Sequence, residues 1–384
     1  MDFGFTAAEE EFRAQLRCEL RSPAVREAIE ALPADNWGGS ELEKLYRVLG
    51  ERDLLAPHWP REYGGQDRGF NEGVIVTEEL VRAGVPETLH ISTVQIVGAF
   101  LLLAGSHEQK LRYLPPIARG EHQVSVLYTE VETGSDIGSL TTVAEPDGDG
   151  YRISGTKIFS LKTHMATQSL CAARTSQGAT KYEGISLFMI DMSSPGLRVA
   201  PIATSWDEPF YRVDLDGVWV PKDCVLGREG EGWALLSRGL AIERTGIDYF
   251  LKGETWFNQA LGHLAEQYPQ PQDADDALLE QIGRYGGRLY ASQLLGWEVL
   301  GAINAGRVDE VASAVAKYST SEIAAEIARW GCGIPTAAQR VACGGVTRLD
   351  EGYLESPGLT LSAGTSEMML QIVAAAIDRP GQEL

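Results

Sequence analysis

TTVAEPDGDGYRIS, residues 141–154, is the stretch that decides the fold. Two short runs rich in β-branched and aromatic residues flank Pro146-Asp147-Gly148-Asp149-Gly150, whose residue types suit the backbone angles of a tight turn. The pattern predicts a β-hairpin. Similar runs surround it at 124–128, 169–173, 185–189, 197–200 and 213–220, separated by Gly, Pro, Asp and Ser. A small β domain is therefore expected near the middle of a 384-residue chain. At roughly 150 residues per domain, that length suits two or three packed regions.

The period differs on either side. Thr6-x-x-Glu9 forms a capping-box signature, and Phe5, Phe12, Leu16 and Leu20 follow helical spacing around it. Pro60 and Gly64-Gly65 interrupt the helical pattern, which resumes over 74–83 and 94–104 and closes at Pro115-Pro116 and Gly120. After Gly227 and Gly232, long helical patterns run on, joined by a polar, Pro-containing connection at 268–276. The expected fold class is α+β, mainly α. Its parts are an N-terminal helical domain at 1–122, a middle β domain at 123–228 and a C-terminal helical domain at 229–384.

Lys plus Arg number 33 against 54 Asp plus Glu, a formal charge of −21 that repels phosphate backbones and anionic membrane surfaces. Nucleic acid is not an expected partner, and an anionic ligand would need a local cationic patch. The five cysteines, at 18, 171, 224, 332 and 343, lack any CxxC pair and suggest reduced thiols in a cytoplasmic protein. The first eleven residues carry acidic groups where a signal peptide needs a basic and then an apolar run. No uninterrupted apolar run reaches the length of about 18 residues expected of a membrane span. The six histidines never fall at metal-ligand spacing, so no metal is expected.

One residue does not fit its helix. From Trp233 to Lys252 the spacing predicts a single helix with Leu236, Leu240, Ile247 and Leu251 on one stripe, and Glu243 fills the step between Leu240 and Ile247. A buried carboxylate costs several kcal/mol unless it is paired or its pKa rises, and a raised pKa suits proton abstraction near neutral pH. Spacing alone favours a structural Glu243–Arg244 pair, or a boundary position if the helix phase shifts by one residue.

Further stretches carry a resemblance. WPREYGG (59–65), GSHEQKLRYLPPIARGE (105–121), TEVETGSD (129–136), GTKIF (155–159) and VWVPKDCVLGREGEGW (218–233) resemble, in order and spacing, segments of the acyl-CoA dehydrogenases. The resemblance spans nearly the whole chain. It implies a helical domain, a β domain and a C-terminal four-helix bundle, usually as a tetramer, with FAD between the β domain and the bundles. It also implies α,β-dehydrogenation of an acyl-CoA or acyl-carrier thioester, with an electron-transfer flavoprotein or similar acceptor.

The same resemblance implies site residues. Tyr128 and Thr129 would line the flavin ring, with Gly134 and Ser135 near pyrophosphate and thioester and Phe159 in place of the usual Trp against the ring. Ser160, Thr365 and Glu367 would complete the cofactor contacts. Gly134-Ser135-Asp136 taken alone is an ordinary polar turn. In the commonest members a Glu in a "Y-E-G-T" turn is the base, but here the turn is Ser362-Ala363-Gly364-Thr365. Other members carry the base immediately before an Arg on the first C-terminal-domain helix, where Glu243-Arg244 falls. Glu243 would be the base and Arg244 would orient it. Ala363 would offer its main-chain N–H to the thioester carbonyl, and Leu240, Arg244 and Ser135 would meet the substrate. Glu351, Glu355 and Glu367 match no base position of the family.

Some family features are missing. No "R-x-x-F-G" segment occurs in 261–276, Val341 stands where Gln precedes Gly344-Gly345, and Leu161 replaces a Thr, leaving Ser160 as the nearest hydroxyl. These losses are similar to those of bacterial heteromeric members acting on steroid side-chain CoA esters, where two different subunits share each site. Homo- and hetero-oligomers both remain expected assemblies. A same-fold flavin oxidase or monooxygenase, and a non-catalytic partner subunit, are the competing readings.

Overall fold

The structure, a computed structural model, describes residues 5–33, 39–205 and 208–377; the side chains of 241–243 and 271 lie outside the described residues. The chain divides into two compact units, residues 5–239 and, among the described residues, 240–377.

The first unit opens with α1 (Ala7–Leu20), α2 (Pro23–Glu30), α3 (Ser40–Gly50), α4 (Phe70–Arg82), α5 (Glu87–His90), α6 (Gly98–Ala104) and α7 (His107–Ala118). The capping box forms as expected: the Thr6 hydroxyl accepts from Glu9 N–H, and Thr6 N–H donates to the Glu9 carboxylate at 2.7 Å. Phe12, Leu16 and Leu20 of α1 are buried. The pattern at 94–104 does not give a uniform helix, because Ile91–Val97 is π-helical before α6 begins. In that widened turn the Thr93 hydroxyl exchanges hydrogen bonds with the main chain of Val124 at 3.0 and 3.2 Å. Val94, Val97, Phe100 and Leu101 stay buried. By length and composition Glu87–Ala104 is apolar enough to cross a membrane, yet 56% of it is buried in the fold.

The predicted strands form one eight-stranded sheet in the order β6-β7-β3-β2-β4-β5-β8, with β1 beside β4. The strands are β1 (Val124–Leu127), β2 (Val143–Asp147), β3 (Gly150–Ser160), β4 (Gln168–Arg174), β5 (Ile185–Asp191), β6 (Leu197–Ile202), β7 (Phe210–Pro221) and β8 (Val225–Leu226). β2 and β3 make the expected hairpin, with Asp147 opposite Gly150 and Gly148 at φ +63°, which a two-residue turn with positive φ at its first position requires. Thr141 and Thr142 fall outside β2 because their N–H groups go to the Glu130 carboxylate instead of a neighbouring strand. β4 and β5 are almost continuously buried.

The helices α8 (Gly232–Glu243), α9 (Ile247–Gln267), α10 (Asp276–Asn304), α11 (Glu310–Cys332), α12 (Ala337–Ala342), α13 (Arg348–Leu359) and α14 (Ser366–Ile377) follow. Within the second unit α11 packs against α9, α10, α13 and α14. Its buried side chains are mostly small, including Ser313, Ala314, Ala316, Thr320, Ser321, Ala324, Ala325 and Ala328, so neighbouring backbones can approach closely. The single helix expected over 233–252 is instead two. α8 ends at Glu243, and Gly246 takes the left-handed conformation at φ +78° before α9 begins. The continuous stripe that marked Glu243 is therefore broken immediately after it.

Candidate active site

In the first unit, the stretches around Tyr128 and Phe159 are brought together by main-chain and buried ionic links. Ile158 N–H donates to Thr129 O at 2.9 Å, and Lys157 Nζ reaches Tyr128 O at 3.2 Å and Glu130 Oε1 at 2.9 Å. Lys157 is fully buried and Glu130 is 4% exposed. The Glu130 carboxylate also accepts from Thr141 N–H, the Thr141 hydroxyl and Thr142 N–H. Burial alone would raise its pKa, but the Lys157 charge and these bonds outweigh burial and hold it at about 2.

This lock presents the polar turn after β1. Gly134 and Ser135 are exposed, and a Cβ on Gly134 would meet nothing within 4 Å. The buried Thr133 hydroxyl has no hydrogen-bond partner among the described residues. Phe159 sits at φ +58° in the irregular register between Lys157 and Ser160 of β3 and β7, and 54% of it is exposed, edge-on to Phe210. Ser160 is buried, donating to Tyr211 O and accepting from Thr163. An exposed aromatic ring, an open glycine turn and an orphaned hydroxyl are features that suit a flat, phosphate-bearing cofactor.

In the second unit, the joint between α8 and α9 is tied to the turn that links α13 and α14. Arg244 Nε donates to Ala363 O at 2.9 Å, and the Tyr249 hydroxyl lies 3.0 Å from Ser362 Oγ. Ala363 has φ +51°, and among the described residues no acceptor takes its N–H. Leu240 is buried. The Glu243 side chain lies outside the described residues, so only its place at the C-terminal end of α8 is given. Thr365 immediately precedes α14, and Glu367 lies in its first turn. The Thr365 hydroxyl accepts from Met368 N–H, and Glu367's own main-chain N–H and Thr365 hold its exposed carboxyl below the usual range. Of the other carboxylates, Glu355 pairs with Lys252 and Glu351 with Arg348.

The joint depends on Gly246. A Cβ there would lie 2.5 Å from Thr320 Oγ1 and 3.1 Å from Ala316 O, in addition to the strain of a left-handed residue. Gly246→Ala is expected to lower stability by roughly 1–3 kcal/mol in urea unfolding. An unchanged midpoint would show that the joint relaxes freely.

Several site groups escaped sequence reasoning. The Glu130–Lys157 pair is one; Lys162 beside Glu208 at 2.8 Å and the stack of His164 on Tyr211 are others. For Lys157 a signal existed, since it continues the inward period-two phase of Tyr151 and Ile153 along β3.

Known proteins match this arrangement. The family models described as acyl-CoA dehydrogenase N-terminal, middle and C-terminal domains match residues 6–121, 125–215 and 230–377. The chain is 31% identical over 315 residues to acyl-CoA dehydrogenase FadE29 of Mycobacterium tuberculosis (strain ATCC 25618 / H37Rv), covering 79% of this chain and 78% of that one. The solved structure of the Tcur3481-Tcur3483 steroid ACAD superposes with a TM-score of 0.87 at 29% identity and 100% coverage of both chains. The ChsE4-ChsE5 complex from Mycobacterium tuberculosis gives 0.85 at 25% identity, again covering 100% of both. With three domain models in chain order, a relative above 30% identity and the matching helix-sheet-helix fold, the chain belongs to the acyl-CoA dehydrogenase family of flavin-dependent oxidoreductases.

Proposed function

We propose that this chain carries the base of an FAD-dependent α,β-dehydrogenation of an acyl-CoA or acyl-carrier thioester, and that Glu243 is that base. The observation that supports it most is the Arg244–Ala363 bond at 2.9 Å. It fastens the residue after Glu243 to the turn in which the commoner base position holds an alanine. Glu243 takes the α-proton as the Cα–Cβ double bond forms, and the Ala363 N–H donates to the thioester oxygen as negative charge develops there. Arg244 holds the two segments in register; Leu240 is the substrate contact proposed for this unit, and Ser135 that for residues 5–239.

In the first unit Tyr128, Thr129, Gly134, Ser135, Phe159 and Ser160 would hold the flavin; in the second, Thr365, just before α14, and Glu367, in its first turn, are the proposed flavin contacts. FAD, when bound, supplies the acceptor for the hydride leaving Cβ, and an electron-transfer flavoprotein is the expected next acceptor.

The chain is proposed to work beside a second acyl-CoA dehydrogenase-like subunit. α14 is apolar, yet Leu370 and Ile377 are 49% and 68% exposed, and Leu361 before it is 63% exposed. Leu370 and Ile377, seven residues apart, share one face of this helix, and exposed apolar faces are common at interaction sites. Gly344 and Gly345, at φ +80° and +100°, remain where the family carries a glycine pair, although Val341 stands in place of its Gln.

The test is the visible spectrum of the protein purified alone and with acyl-CoA dehydrogenase-like chains encoded beside it, followed by anaerobic addition of CoA thioesters. The expected result is a yellow complex that bleaches with thioester. Protein that stays colourless with every partner would favour a non-catalytic subunit. Rapid oxygen consumption by reduced flavin without thioester would favour an oxidase or monooxygenase.

A further inference from the structure

Lys317, on α11, is fully buried. Among the described residues no carboxylate comes within ion-pair distance of its ammonium. Asp248, Glu322 and Glu367 act on it from farther off, from α9, α11 and α14, and Arg244 opposes them. Burial dominates and pushes its pKa down to about 8. Its direct partners are the face of Tyr249, 5.2 Å from Nζ to the ring centre, and one main-chain acceptor, Leu359 O, at 3.0 Å.

That acceptor matters because of where it lies. Leu359 is the last residue of α13, and one more helical step would pair its carbonyl with the N–H four residues on, that of Ala363. The helix stops instead. Lys317 occupies the carbonyl, Ala363 turns to φ +51°, and its N–H is left without an acceptor among the described residues. Arg244 and Tyr249 then fix the turned segment at Ala363 O and Ser362. Basic side chains commonly satisfy the last carbonyls of a helix; here the side chain comes from a different helix.

We propose that Lys317 is a positioning residue: by taking the Leu359 carbonyl it ends α13 and keeps the Ala363 N–H available as the hydrogen-bond donor to the substrate's thioester oxygen. The inference rests on the function proposed above for that substrate and for the Ala363 N–H as its donor, but not on the base assignment. Removing the Nζ leaves a buried carbonyl unsatisfied, and the Ala363 N–H is the donor the backbone can return to it.

The test is amide hydrogen exchange resolved at Ala363 in the resting protein, wild type and Lys317→Met, with Lys317→Gln in its place should the Met variant not fold. In the wild type the Ala363 amide is expected to exchange near the unprotected rate; in the variant it should slow at least about tenfold, while α9 amides keep their rates. Turnover of a CoA thioester should fall about 10²-fold in kcat with little change in KM, as for loss of one oxyanion donor. A protected Ala363 amide in the wild type, or unchanged exchange in a folded variant, overturns the proposal. Exchange needs no substrate, so it separates this inference from the identity of the base: an active Glu243→Gln enzyme would remove the base assignment and leave the role of Lys317 standing.

Discussion

Glu243→Gln is expected to slow flavin bleaching by a CoA thioester about 10²- to 10⁴-fold, the range associated with losing a positioned general base. The amide matches the carboxylate in size and keeps hydrogen-bonding capacity, but it cannot accept the α-proton. Ala363 cannot substitute, having no ionisable group, and Glu355 and Glu351 are already paired with Lys252 and Arg348. Flavin content and KM should change little, because the proposed cofactor contacts and the Ala363 N–H are untouched. Stopped-flow reduction under anaerobic conditions measures the step directly. Bleaching at the wild-type rate would remove Glu243 from the mechanism.

The largest effect on stability is expected from Glu130→Gln. Lys157 is fully buried, and exchanging the carboxylate for an amide removes the negative partner at 2.9 Å, leaving the ammonium only neutral carbonyl acceptors such as Tyr128 O at 3.2 Å. Breaking a buried pair in this way costs roughly 3–5 kcal/mol, whereas Glu130→Gln combined with Lys157→Met should recover much of the loss. The pH dependence has a definite sign. The Glu130 carboxyl is held at about 2 in the fold, below its reference value of 4.5. Its contribution, about 3 kcal/mol, is therefore complete above pH 4.5 and is lost as the pH falls toward 2. Guanidinium unfolding of wild type and variant at a series of pH values checks both statements. Equal acid dependence in the two proteins would rule out Glu130 as a source of acid lability. Loosening this lock should also weaken flavin retention, since it joins the Tyr128 and Phe159 segments.

Features that depend on near neighbours in sequence were legible. The Gly148-Asp149 hairpin, the Thr6 cap and the alternation of helical and strand periods each rest on residues within a few positions of one another. The break at Gly246 was not, because Leu240, Ile247 and Leu251 keep a helical phase on both sides of it, so apolar spacing passes through the joint unaltered. Pairings between distant residues were illegible for a different reason. Glu130 with Lys157, Lys317 with Leu359 and Arg244 with Ala363 join points that only the tertiary path brings together. Lys157 was the partial exception, since strand phase turned it inward. The resemblance named the stretches around the proposed site, Lys157 and Arg244 among their residues, but not the partners those cations hold.

The ties on the turn before α14 have a consequence for its inheritance. Lys317 and Arg244 grip it through the carbonyls of Leu359 and Ala363, atoms that every amino acid possesses. The shape of the turn is thus indifferent to the side chain at 363, within the small set of residues that tolerate φ +51°. A substitution at 363 can therefore be inherited without rebuilding the loop, whereas loss of either cation would release one of these two ties.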